Sequence, residues 1–529
     1  MTNDPASIAA ALRAFVVYGV CAILAIVIGV MMTNPMTYSN LGFIGILCAV
    51  LIIPILLRWH YQLMILTWAA PFMMFFLKGD PKLSLVMITL SLAISISERA
   101  LNQPRFINVP TITWSLLCLI AVIAITAKLN GGIGLKAFGS DVYGGKKYIF
   151  LIVGILGYFA MTSRPIPPEM ARLYVAFYFL GGTIGFIGDL YPFCPGFLRP
   201  IFWVIPPTMF DNDPGSFDLA STRLSGTGWG AVAATNAMIA LYGIRGIFLG
   251  GKLWRPVAFC ICCVLIFFGG FRSALILTAA TFILQFFLEG MHRTKIMPFF
   301  LIFGLAVAAV SVPFAAKLPF TFQRTLAFLP KQMIHLSTEA RLAAQASTDW
   351  RLDMWANLLP QIPKHLLLGK GYAISMEDFQ IMGQDTAFGA TTGSSTALAL
   401  SSDFHNGPIS VILPFGIWGV IAFGWFLIAS NNIMYRNFRY GDPQLKTINT
   451  FLFTTYVIGT LDFLFLFGDL SGGISGFVGI LGMSICLNRG VCRAPVTKAL
   501  NLPYSARLIN ARLKPQPAFQ HRVAGSNPL

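Results

Sequence analysis

GPISVILPFGIWGVIAFGWFLIA, residues 407–429, holds no charged side chain over 23 positions. A helix crossing about 30 Å of hydrocarbon needs roughly 20 such residues, so the stretch reads as a membrane span and not as a buried core helix. Similar runs fall near 12–31, 40–57, 62–77, 83–97, 111–127, 148–163, 173–190, 229–244, 254–270, 272–288, 296–316, 447–467 and 471–488. The composition agrees: 529 residues that are 56% hydrophobic and 11% charged, with 46 Phe, carry more apolar surface than a soluble core needs. The expected fold is an all-α polytopic membrane protein with about 14 transmembrane helices, 12 at the fewest. The first run lacks a small-residue cleavage site after a short apolar core, so it reads as a retained helix and not as a signal peptide.

Lys and Arg in the connections set the expected orientation. The stretch from Arg489 to Arg522 holds seven basic residues and no acid, which places the C-terminus in the cytoplasm. Counting back, Arg58, Arg99, Arg164, Arg245, Arg293 and Arg436 fall inside. The connection with Lys128, Lys136, Lys146 and Lys147 opposes this locally, but the rule weights long outer connections lightly. The formal charge of +17 is therefore partly topogenic. No basic, aromatic-rich soluble segment suggests a nucleic-acid partner. Of nine cysteines only Cys194 falls in an outer loop, and no Cys/His spacing suits zinc.

Two outer connections are long, about 191–228 and 317–406, so function is expected on the outer face. The longer one should be partly helical, since Ser337-Thr338-Glu339 offers one helix start and Ser347-Thr348-Asp349 another. Arg351 would then project from a first helical turn. Three outer arginines stand out. Arg272 opens a span after Gly269-Gly270-Phe271, where a helix N-terminus is already partly positive, so an anion would compensate both. Snorkelling to a lipid headgroup is the simpler reading of Arg272. An ion pair with Asp349 or Asp353 is the simpler reading of Arg351, and solvation that of Arg223.

Immediately before the opening span stand Phe404-His405-Asn406. A loop histidine is more often solvated than catalytic. Pro408 suits a first helical turn, however, and that puts His405 where the helix dipole favours the neutral imidazole, able to accept a proton. Asp403 is placed to orient the ring. Asp211-Asn212-Asp213 could hold a cation against a diphosphate, although Pro214-Gly215 makes a turn the simpler reading.

These residues together resemble the O-antigen ligase and polymerase family. The resemblance rests on Gly270-Phe271-Arg272-Ser273-Ala274-Leu275, on Arg351-x-x-x-Trp355 followed by Pro363 and Gly369-Lys370-Gly371, and on His405-Asn406 ahead of Gly416-Ile417-Trp418-Gly419. It covers roughly 220–430, with Arg223-x-x-Gly226 and Asn236 as a weaker part. Many members carry an acid before the Gly-x-x-Gly, where this chain has Leu413-Pro414-Phe415.

The resemblance implies a GT-C-like membrane glycosyltransferase of the bacterial inner membrane, with its site facing the periplasm and no metal or other cofactor. Its donor would be an undecaprenyl diphosphate-linked glycan, and its acceptor a hydroxyl of a glycan, of lipid A-core or of a protein. It implies His405 as general base and Arg272, Arg351 and Arg223 as ligands of the diphosphate. Asn406, Asp403, Trp355 and Tyr372 are expected to support the site, the two aromatics, with Trp350, as surfaces for sugars. The expected organisation is N-terminal spans over 1–220, a catalytic region over 221–430 that includes the loop 317–406, C-terminal spans over 431–488 and a basic cytoplasmic tail over 489–529. Ligase, polymerase and protein oligosaccharyltransferase remain alternatives. The competing class is a transporter or flippase for lipid-linked glycans, with Asp462 as its intramembrane acid.

Overall fold

The computed structural model describes residues 38–77, 79–102, 106–134, 144–210, 222–295, 297–374, 402 and 404–494, with a few isolated positions before residue 38. The described residues up to Cys492 form one compact unit. Its helices are α1 (Tyr38–Thr67), α2 (Leu83–Asn102), α3 (Pro110–Leu129), α4 (Gly145–Met161), α5 (Ala171–Leu180), α6 (Ser225–Phe248), α7 (Trp254–Phe268), α8 (Arg272–Leu288), α9 (Met297–Phe314), α10 (Phe320–Leu326), α11 (Thr338–Leu358), α12 (Gly407–Tyr440), α13 (Lys446–Leu461) and α14 (Leu470–Leu487). Two short strands, β1 (Met209–Phe210) and β2 (Arg223–Leu224), pair antiparallel.

Among the described residues seven helical stretches are long and apolar enough to cross a membrane: α2, α3, Pro168–Gly188 around α5, α6, α12, Pro443–Leu466 around α13, and α14. The apolar helices α7 and α8 are shorter. The molecule is thus a polytopic helical membrane protein. The first expected span, 12–31, lies largely outside the described residues.

Two expectations about elements are corrected. The runs 40–57 and 62–77 do not make two spans with a turn at Arg58, because α1 passes through Arg58 without a break and ends at Thr67. Arg58 is exposed on the side of the helix, and the backbone ladder needs nothing from its side chain. The second helix start at Ser347 is not used either. Ser337 caps α11, its hydroxyl accepting from the Ala340 N–H at 3.3 Å, and the helix runs unbroken to Leu358. Arg351 therefore sits in the middle of α11 and not in a first turn.

The core is built from interhelical packing of Tyr, Phe, Ile and Leu, with Tyr158, Phe426 and Phe451 among its largest buried side chains. One break in it positions everything that follows. α12 is interrupted at Gly416, whose φ of +62° and ψ of −161° release backbone groups in mid-helix. The segment 366–371 takes them up: Ile417 N donates to Leu366 O at 2.7 Å, while Lys370 N and Gly371 N donate to Leu413 O and Pro414 O at 2.8 and 2.9 Å. A Cβ at Gly369 would come within 2.2 Å of Pro414 O, so only glycine permits this approach. The Gly-x-Gly and Gly-x-x-Gly patterns, 45 residues apart in sequence, are two halves of one joint that pins the long connection to α12.

Candidate active site

Four elements meet at one end of the helices, and each brings an arginine. Arg223 on β2 lies over the Phe271 ring, its Cζ 4.2 Å from the centroid, and its Nε donates to Gly269 O at 3.4 Å. It thus docks onto the Gly269-Gly270-Phe271 turn that leads into α8. Arg272 is the first residue of α8, and its Nη2 donates to Ala344 O at 3.1 Å and to Thr348 Oγ1 at 3.3 Å on α11. Arg351 is on the same α11, with its Cζ 5.9 Å from the centroid of Phe467.

The fourth is Arg324 on α10, which carries no recognisable motif. Phe322 fixes that short helix by stacking on Phe267 at 5.2 Å and meeting Phe268 edge-on at 5.0 Å. Gln323 ties it further, donating to Ala316 O and Leu318 O and accepting from Ser337 N.

The four guanidinium groups feel one another. Burial, and then the charge of Arg324, holds Arg223 down at about 10. Arg324 is lowered by burial and then by Arg272. Arg351 is lowered by burial first, then by Arg272 and Arg324. Among the described residues none of the four forms an ion pair, and the neighbouring Asp349 and Asp353 do not supply one to Arg351. Arg351 Nε is buried without a hydrogen-bond partner. Desolvated, like-charged and unneutralised cations destabilise a fold unless an anion joins them, so an anion placed here would relieve the cluster. Beside it a cavity of about 250 Å³ is lined by Arg272, Lys331, Arg341, Thr348 and Asp349, among others.

His405 abuts this cluster through shared aromatic neighbours. Its ring lies 5.0 Å from Phe467 and 5.4 Å from Trp350, centroid to centroid, so Phe467 touches both His405 and Arg351. The residue has a φ of +48°, a left-handed backbone that costs a non-glycine residue about 1 kcal/mol or more and persists only where surroundings enforce it. Those surroundings are visible. Trp355 Nε1 donates to Phe404 O at 2.9 Å, and Asn406 Oδ1 accepts from Ile409 N at 3.0 Å to cap α12. Gly407 lies so close to the chain ahead of α14 that a Cβ would sit 2.0 Å from Phe463 O.

The structure thus brings together Arg223, Arg272, Arg351 and His405. Asn406 is a helix cap, and Trp355 holds the loop ahead of His405. Tyr372 is buried: it is 1% exposed, packed between Tyr148 and Phe415, with its N–H bonded to the Tyr148 hydroxyl at 2.8 Å, and it presents no open face to a sugar. Asp403 and Asp211-Asn212-Asp213 lie outside the described residues. Among those described, no group of three or more His, Cys, Asp or Glu is arranged to hold a metal ion.

Asp189 is a further residue without a sequence signal. It is 3% exposed, and its carboxylate accepts from Thr208 Oγ1 at 2.7 Å, Gly226 N at 3.2 Å and Thr227 N at 2.5 Å. It therefore caps α6 from outside and fixes the chain just after Arg223. Asp189→Ala leaves two buried N–H groups without acceptors at roughly 1–3 kcal/mol each, so the unfolding temperature should drop by several degrees. An unchanged unfolding temperature would refute the capping role.

A helical membrane protein with a cationic cluster and a histidine held at one end of its bundle is the class these features define. Residues 257–424 match the O-antigen ligase family, which bears out over that stretch the resemblance drawn from the motifs. The match includes Arg272, Arg324, Arg351 and His405 and ends before Phe467; the family is one of glycosyl-transfer enzymes acting on lipid-linked glycans in membranes. No curated protein matches the chain.

Proposed function

We propose that this protein transfers a glycan from an undecaprenyl diphosphate carrier to an acceptor hydroxyl at the periplasmic face of the inner membrane, as an O-antigen ligase or polymerase, without a metal. The convergence of four arginines beside His405, with no ion pair to them among the described residues, carries this reading. The acceptor oxygen attacks the anomeric carbon as the bond from that carbon to the diphosphate oxygen breaks. His405 takes the hydroxyl proton, and the electron pair of the broken bond leaves on the diphosphate. Arg272 and Arg351, with Arg223 behind the Gly269-Gly270 turn, stabilise the charge that develops there, the work a divalent cation does elsewhere. Direct displacement inverts the anomeric centre. The four arginines and His405 lie in connections or at a helix start and not within the long apolar helices, which supports an enzyme over a flippase.

The test uses the full chain in nanodiscs with lipid-linked glycan donor and lipid A-core acceptor, with and without EDTA. EDTA-resistant transfer with inversion is the expected result. Chain growth on the carrier in place of transfer to lipid A-core would make the protein a polymerase, and EDTA-sensitive transfer would overturn the arginine clamp as the sole charge stabiliser.

A further inference from the structure

The segment that reaches Phe467 also walls a second space. Between α13 and α14 lies a cavity of about 380 Å³ whose lining includes Thr455, Tyr456, Asp462, Phe467, Asp469 and Gly476. α13 runs into it through a single π-helical turn, Asp462–Leu466, a widening that is frequent at functional positions. The cavity adjoins the histidine loop: Phe467 lines it and touches the His405 ring, and a Cβ on the next residue, Gly468, would lie 3.0 Å from Gly407 Cα.

Its walls are mostly aromatic and glycine, yet three buried polar atoms in them lack hydrogen-bond partners: Thr455 Oγ1, Asp462 Oδ1 and Asp469 Oδ1. Buried polar atoms are nearly always satisfied, so three orphans around one cavity mark a missing partner rich in hydrogen-bonding groups. A polyprenyl chain has none to offer. A diphosphate would be repelled by two carboxylates that no cation neutralises among the described residues, and it has the arginine cluster instead. A neutral sugar meets both demands, with hydroxyls for the carboxylates and an apolar ring face for Phe467.

We infer that this cavity is the acceptor subsite, taking an uncharged, hydroxyl-rich sugar of the acceptor glycan whose hydroxyls donate to Asp462 and Asp469. The inference rests on the glycosyl-transfer reading and divides the site by charge. Anionic donor groups lie at the arginines, acceptor hydroxyls lie at the carboxylates, and His405 stands between them against Phe467.

The test compares Asp462→Asn, Asp469→Asn and Gly476→Leu in the full chain in nanodiscs, with lipid A-core and a carrier-linked glycan supplied in turn as acceptor. Asn at 469 can still accept from the Gly472 N–H that Asp469 caps at 2.9 Å, and a Cβ at Gly476 meets nothing within 4 Å, so the variants should fold. Each Asn should raise the KM for acceptor about tenfold, the usual effect of losing hydrogen bonds to a charged group, while the KM for donor holds within about twofold. Gly476→Leu should act in the same direction by filling the space. A raised donor KM with an unchanged acceptor KM would reassign the cavity to the carrier lipid and overturn the inference, as would no change in either. If the unmodified chain transfers nothing, equilibrium binding of lipid A-core to donor-free protein separates the two readings. Binding that the Asn variants weaken keeps the sugar site while transfer fails; binding that is absent or unaffected overturns the site.

Discussion

Replacing His405 with Asn is expected to lower glycan transfer by roughly 10²–10⁴-fold, the usual contribution of a positioned general base, while the protein stays folded. Asn is the informative substitution because it adopts a left-handed backbone more readily than histidine, whose φ here is +48°. The loop is held by the Trp355 bond to Phe404 O, by the Asn406 cap and by Gly407 against Phe463. None of these depends on the imidazole. A fall in transfer without a fall in stability assigns the ring to chemistry. If His405→Asn transferred at the normal rate, the base would have to be sought elsewhere on the loop.

Arg351→Met should abolish most transfer, by about 10²–10³-fold, and should leave the ligand-free protein as stable as before or more so. The sign follows from the direction of its shift. Burial, Arg272 and Arg324 hold Arg351 below the ordinary guanidinium range, so its charged form is less favourable in the folded protein than in the unfolded chain. At neutral pH it is charged in both states, and removing it relieves the repulsion. Its Nε has no hydrogen-bond partner to lose, whereas Arg272→Ala would also cut two bonds to α11. Adding lipid-linked diphosphate should raise the unfolding temperature of the unmodified chain and much less that of Arg351→Met, since a ligand that binds only the folded state stabilises by mass action. A lower ligand-free stability for Arg351→Met would show that Arg351 is structural and not an anion ligand.

The length and sequence of its apolar runs determined that this chain forms a membrane helix bundle, because hydrocarbon admits few other ways to satisfy a backbone. Local chemistry also fixed several boundaries: Ser337 caps α11, Asn406 caps α12, and Pro110 starts α3. Arg272 and His405 were legible as candidates because each stands beside a helix start that its own neighbours encode. Where local signals competed, tertiary structure decided. α1 ran through Arg58 and α11 through Ser347, since a continuous hydrogen-bond ladder outlasts an unfavourable or cap-prone side chain when nothing in the packing requires a stop.

Arg324 and Asp189 stayed invisible for a different reason. Arg324 lies on the short helix α10 and Asp189 just beyond Pro168–Gly188, and the partners stand 27 or more residues away for Arg324 and 19 or more for Asp189. Tyr372 shows the converse, since an aromatic beside a Gly-x-Gly suggests a sugar surface until packing against Tyr148 and Phe415 buries it. The sequence by itself therefore determined that the chain is a helical membrane protein and offered Arg272 and His405 as candidate site residues. Only the tertiary structure decided that four arginines share one space and that Phe467 joins His405 to a carboxylate-lined cavity, because charge proximity and cavities depend on distances between elements that local hydrogen bonding and hydrophobic period do not encode.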